Sequence, residues 1–139
     1  MTGHTESAPQ LRVTWHGRTV VGKVRTNNED MLWAARVADS SAAGGDSEGT
    51  DDVAWPGLLL AVADGMGGAL AGEVASRLAV QTIADELRRT IDDEDVGPDA
   101  APEVHRNALV TAVERANQRI RGEGENNPQQ RGMGTTLTA

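Results

Sequence analysis

The strongest constraint in this chain is an apolar run that stops at an acid. Gly57-Leu58-Leu59-Leu60-Ala61-Val62-Ala63 passes directly into Asp64-Gly65-Met66-Gly67-Gly68. A short continuous apolar run of this kind predicts a strand buried on both faces. It also predicts a carboxylate at the C-terminal end of that strand. Helical periodicity follows within a few residues. Val74, Leu78, Ile83, Leu87 and Ile91, with Ala75 and Ala79 on the same face, predict a helix over 71–90. Strand, turn and helix in such close order require a sharp backbone reversal, which the glycines allow.

The flanking segments fill in an α+β plan. Residues 1–10 are polar and read as a flexible N-terminus. Leu11, Val13 and Trp15 alternate with Arg12, Thr14 and His16, which predicts a half-buried strand. A second strand is predicted over 31–37. Residues 39–56, rich in Ser, Gly, Asp and Glu and closed by Pro56, show no periodicity and read as a loop. Residues 92–98 read as a second, acidic loop with solvated side chains. Pro102 suits a first helical turn, and Val104, Ala108, Leu109, Ala112, Val113, Ala116 and Ile120 form an apolar stripe. These predict a helix over 102–122. A polar loop over 123–131 then leads to a strand opening at Gly132. The order suggests a helix pair packed on a sheet.

Composition removes several classes of function. There is no Cys, so neither a disulfide scaffold nor a thiolate metal site is possible. The formal charge of −8 opposes nucleic-acid binding through bulk charge. Three Trp are the only aromatics, too few for base-stacking platforms. The longest apolar run, Leu58–Ala63, is far short of the roughly 20 residues of a membrane-spanning helix. No basic region followed by an apolar stretch opens the chain, so no secretory signal is visible and a cytoplasmic location is expected. The 139 residues fit one modest domain, with a core that looks thin for lack of aromatics.

Three places can carry chemistry. At the strand tip, the Asp64 carboxylate and the Gly65 carbonyl are adjacent oxygen donors of the kind Mg²⁺ or Mn²⁺ takes. Taken alone, Asp64-Gly65 reads equally as a plain turn. Between the first two strands, Arg25-Thr26-Asn27-Asn28-Glu29-Asp30 offers a planar guanidinium suited to phosphate and two acids at a strand start. Alone it is an ordinary charged turn. Gly132-Met133-Gly134-Thr135-Thr136-Leu137 reads as a glycine turn entering a buried β-branched strand. No His or Lys base accompanies its threonines. His4, His16 and His105 lack metal-ligand spacing. A dinucleotide fingerprint fails at Leu70, and a P-loop fails because the only Lys is Lys23.

In order along the chain stand Arg25-x-x-Asn28-Glu29-Asp30, Val62-Ala63-Asp64-Gly65-Met66-Gly67-Gly68, Gly72-Glu73-x-Ala75-Ser76, Ala116-Asn117 and Gly132-Met133-Gly134-Thr135-Thr136-Leu137. The ordered set resembles the N-terminal half of the bacterial metal-dependent protein serine/threonine phosphatases of the 2C type, from about Val13 onward. The resemblance implies part of a four-layer αββα sandwich with a two-metal site at one end, and residues 11–139 as the first half of that domain. It implies that Asp64 bridges two Mn²⁺ or Mg²⁺ ions and that the Gly65 carbonyl binds one of them. It implies that Glu29 holds metal-bound water with Asp30 behind it, and that Arg25 clamps the substrate phosphate. Hydrolysis of phosphoserine and phosphothreonine on proteins phosphorylated by a serine/threonine kinase is the activity implied.

Two departures qualify it. Met66 stands where some members have a histidine that can protonate the leaving oxygen. The further aspartates of the family's second half have no counterparts here. The expectation is an incomplete domain, inactive by itself; the alternative is a non-catalytic regulatory or phosphoprotein-binding module.

Overall fold

In the computed structural model, which describes residues 11–39, 45–68, 70–93 and 95–139, five strands and two long helices follow in the order β1 (Arg12–Gly17), β2 (Asp30–Arg36), β3 (Ser47–Asp52), β4 (Leu58–Met66), α1 (Ala71–Arg89), α2 (Pro102–Asn126) and β5 (Gly134–Thr135). Single helical turns at Thr90–Asp92 and Pro128–Gln130 close the two helices. All strand pairs are antiparallel. β4 lies between β2 and β5 in a three-stranded sheet, and β1 pairs with β3 in a separate ribbon. The helix pair packs on one face of the sheet and the ribbon lies against the other, which makes three layers of an α+β arrangement.

The apolar run forms the expected central strand, but its burial alternates. Leu59, Ala61 and Ala63 point inward with Trp33 and Ala35 of β2, and meet Val80, Ile83 and Ala84 of α1. Leu60 and Val62 point outward and are 41% and 50% exposed. Burial on both faces is therefore corrected to burial on one. The β1–β3 ribbon covers the outward face only in part and leaves a cleft of about 300 Å³ lined by Trp15, Leu32, Leu60 and Val62. The strand also runs past its expected end at Ala63, as far as Met66. Asp30 pairs with Asp64 on one side, while Thr135 and Gly134 pair with Gly65 and Met66 on the other.

The loop expected over 39–56 contains a strand. Residues 40–44 lie outside the described residues, and β3 occupies Ser47–Asp52. It has no apolar residue, so periodicity could not reveal it. Cross-strand pairs hold it to β1 instead: Arg12 to Asp52 at 2.7 Å, Thr14 to Thr50 at 2.9 Å, and His16 to Glu48 at 3.2 Å. Gly49 admits the Trp15 indole, since a Cβ there would stand 2.5 Å from Trp15 Cζ2.

Small residues let the helices approach each other closely. Ala75 and Ala79 of α1 pack with Ile120 of α2 and with Met133, while Ala112 and Ala116 of α2 share a core with Val80 and Ile83. The second helix extends beyond its expected end at 122 to Asn126. Gly124 is buried against the turn that follows, where a Cβ would stand 3.1 Å from the Gln130 carbonyl oxygen. Val113, placed by periodicity on the apolar stripe, is 40% exposed. The strand expected from Gly132 shortens to two residues, and a lone bridge joins Thr138 to Val62.

Candidate functional site

The site forms where β2, β4, β5 and the start of α1 converge. Asp30 and Asp64 face each other across the β2–β4 ladder, at the end of the sheet's outward face. The segment before β2 is fixed by Asn28, whose side-chain oxygen accepts from the Asp30 amide at 3.1 Å. Its Nδ2 donates to Thr19 Oγ1 at 2.8 Å. This turn fixes the direction in which Asp30 enters the strand.

Asp64 is held from the other side by two threonines. The Thr136 amide donates to the Asp64 carbonyl oxygen at 2.9 Å, and Thr135 Oγ1 donates to the same oxygen at 3.0 Å. The Asp64 amide donates to Thr136 Oγ1 at 3.1 Å. The sequence pattern of these threonines predicts only a strand. Here they fix the backbone that carries Asp64.

Two glycines let the helix approach the strand tip. A Cβ on Gly65 would stand 2.0 Å from the Gly72 carbonyl oxygen and 2.7 Å from that of Glu29. A Cβ on Gly72 would stand 2.8 Å from Glu29 Cδ. The first turn of α1 is thus seated on Gly65, with the Glu29 carboxylate wedged beside it. The Gly65 amide donates to the Glu29 carbonyl oxygen at 3.0 Å. The role of Gly72 was not read from its sequence position, because a glycine in a helical pattern does not show what it touches.

The electrostatics follow from this crowding. Partial burial, and then the adjacent Asp64 carboxyl, raise the Asp30 pKa above its ordinary value; Arg25 opposes the shift. Arg25 Nη1 donates to Glu29 Oε2 at 2.5 Å, with the Arg25 side chain 69% exposed and that of Glu29 11% exposed. All five residues singled out in the sequence (Arg25, Glu29, Asp30, Asp64 and Gly65) meet at this one end of the sheet. Met66 beside them is 65% exposed. Among the described residues, no three His, Asp or Glu side chains converge on a single point. The donor set nevertheless suits a hard divalent cation. All its atoms are oxygens, and the two facing carboxyls carry a repulsion that a cation would relieve.

Other acids and histidines take structural places. Asp46, Asp51 and Asp52 partner the Thr19 amide, Arg36 and Arg12. His105 packs edge-on against Trp55, with ring centroids 5.5 Å apart. That pair lines a cavity of about 260 Å³ at the Leu58 end of β4, away from Asp64. His4 lies outside the described residues.

A helix pair on an antiparallel sheet, with facing carboxylates at a strand tip and a guanidinium beside them, defines the class: an α+β protein with an acidic centre at the sheet's end. The chain belongs to the protein phosphatase 2C family, whose family model, "Protein phosphatase 2C", matches residues 40–139. It is 36% identical over 129 residues to the serine/threonine protein phosphatase PstP of Mycobacterium tuberculosis, in each of the strains CDC 1551 / Oshkosh and ATCC 25618 / H37Rv. The match covers 93% of this chain and 19% of each relative, so the chain spans about a fifth of their length. The crystal structure of the M. tuberculosis phosphatase PstP/Ppp matches with a TM-score of 0.54 at 34% identity, over 93% of this chain and 40% of that one. The α+β fold expected from the sequence, as part of a larger sandwich, is the fold found. Among the described residues, no helix is long and apolar enough to cross a membrane.

Proposed function

We propose that residues 11–139 form the first half of a metal-dependent phosphatase domain, contributing part of the centre that hydrolyses phosphoserine and phosphothreonine on proteins. The observation that carries the proposal is the Asp30–Asp64 pair at one strand end, with Arg25 and Glu29 beside it. The relatives named as serine/threonine protein phosphatases support the substrate class.

Asp64 and the Gly65 carbonyl would hold Mn²⁺ or Mg²⁺, Glu29 would act through water, and Asp30 would stand behind them. Such cations, when bound, supply positive charge that favours attack by water on phosphorus. The chain's own residues do the remaining work. Arg25 orients the phosphate oxygens with its planar fork and balances charge as it develops. Asp30, whose carboxyl takes up a proton more readily than an ordinary aspartate, is placed to hold a proton beside Asp64. Met66 cannot protonate the leaving serine or threonine oxygen, so that proton comes from water.

Cation affinity is the direct readout for this chain, and hydrolysis for a longer protein containing it. Calorimetric titration of the chain with MnCl₂ is expected to show binding that weakens at least tenfold in Asp64→Asn. In a longer protein, the same substitution is expected to abolish Mn²⁺-dependent phosphate release from a phosphothreonine peptide. Unchanged Mn²⁺ affinity in Asp64→Asn would remove the assignment.

A further inference from the structure

The Arg25–Glu29 pair joins the proposed phosphate clamp to the proposed cation site through one carboxylate. Its two members differ in freedom. Glu29 is nearly buried, its carboxylate wedged against Gly72 and its backbone carbonyl tied to the Gly65 amide. Arg25 is 69% exposed, and the one side-chain hydrogen bond found for it among the described residues goes to Glu29. A carboxylate so placed is hemmed in by the first turn of α1 and by its own tethered backbone. The arginine can leave.

We propose that Arg25 is the built-in counter-ion of Glu29 in the cation-free chain, and that Arg25 must give up this carboxylate before Glu29 can serve a divalent cation. The proposal rests on the reading of the site as a cation centre. It couples the two ligands. A phosphate that draws Arg25 away frees Glu29, and a cation that takes Glu29 frees Arg25. Each therefore favours the other beyond their direct attraction, and by thermodynamic reciprocity the factor is the same in both directions. Arg25 then has two successive roles. It neutralises the acidic strand end at rest, and it binds substrate once released.

The coupling has a sign that a simple clamp does not require. Removing Arg25 should tighten cation binding, and only while Glu29 is present to benefit. The experiment is a calorimetric MnCl₂ titration of four chains: wild type, Arg25→Gln, Glu29→Gln and the double variant. Arg25→Gln is expected to bind Mn²⁺ about fivefold more tightly than wild type, the upper range for an ion pair with one exposed partner. In the Glu29→Gln background the gain should shrink to less than twofold. An equal gain in both backgrounds would mean repulsion through space alone and would overturn the proposal, as would no gain in either.

A second measurement reports the pair without Mn²⁺. The Arg25 side-chain N–H resonance, followed by ¹⁵N NMR, should shift in Glu29→Gln, and should shift the same way when wild type is titrated with diamagnetic MgCl₂. An Arg25 signal unmoved by Glu29→Gln would overturn the pairing. If wild type binds neither cation, the cation-centre reading fails and the coupling fails with it. If wild type binds and Arg25→Gln changes nothing, the coupling alone fails.

Discussion

Asp30 shows how a residue's neighbours set its behaviour. Partial burial and the facing Asp64 raise its folded-state pKa above the ordinary value of 3.8. Between that value and the raised one, the folded chain binds more protons than the unfolded chain. Stability therefore falls as pH rises through this window, and the loss is complete above it. The pair is a standing cost at neutral pH in the cation-free chain. Asp30→Asn is expected to remove that pH-dependent fall and to raise the melting temperature at pH 7 in the presence of EDTA. Melting curves of both chains between pH 3.5 and pH 8 check this, and parallel profiles would argue against the crowding. The acidic motif was visible in sequence. The facing of Asp30 and Asp64 was not, because it depends on a strand register spanning more than thirty positions of chain.

At the scale of elements, α1 was legible and its partners only partly so. Its apolar positions recur on one face, and Ile83 is fully buried between the sheet and α2. Ile83→Ala removes that packing and is expected to cost about 3 kcal/mol. The same periodicity placed Val113 on the inner stripe of α2, yet its side chain is 40% exposed. Val113→Ser is expected to cost less than about 0.5 kcal/mol. Urea unfolding midpoints of the two variants would separate the burial read from sequence from the burial found. Strand β3 was invisible for the opposite reason. Its residues are polar, and its stability comes from partners on β1 and from the Trp15 ring over Gly49.

For the whole molecule, the outward face of the sheet is the exposed feature. Leu60 and Val62 of β4 line an open cleft with Trp15 and Leu32. Exposed apolar side chains gathered in one patch bind hydrophobic dyes and promote association. The paired change Leu60→Thr and Val62→Thr keeps β propensity and is expected to lower dye fluorescence severalfold with little change in the urea midpoint. A midpoint lowered by more than about 1 kcal/mol equivalent would mean that the face is packed in solution. The thin core expected from composition takes a definite form in the structure. Alanines on β2, β4 and both helices let the backbones approach closely, so contact between small residues replaces aromatic bulk.

The sequence by itself determined that β4 is a strand, that a carboxylate stands near its end, that two amphipathic helices follow, and which motifs mark the family. Each of these depends on residues close together along the chain, where periodicity and turn chemistry act. Only the tertiary structure decided that one face of β4 is open, that Thr135 and Thr136 anchor Asp64, that Gly72 seats the helix against Glu29, and that Arg25 takes Glu29 as its partner. Register, layer order and close approach fix these features. They join residues from distant parts of the chain, and no local pattern encodes which of them will meet.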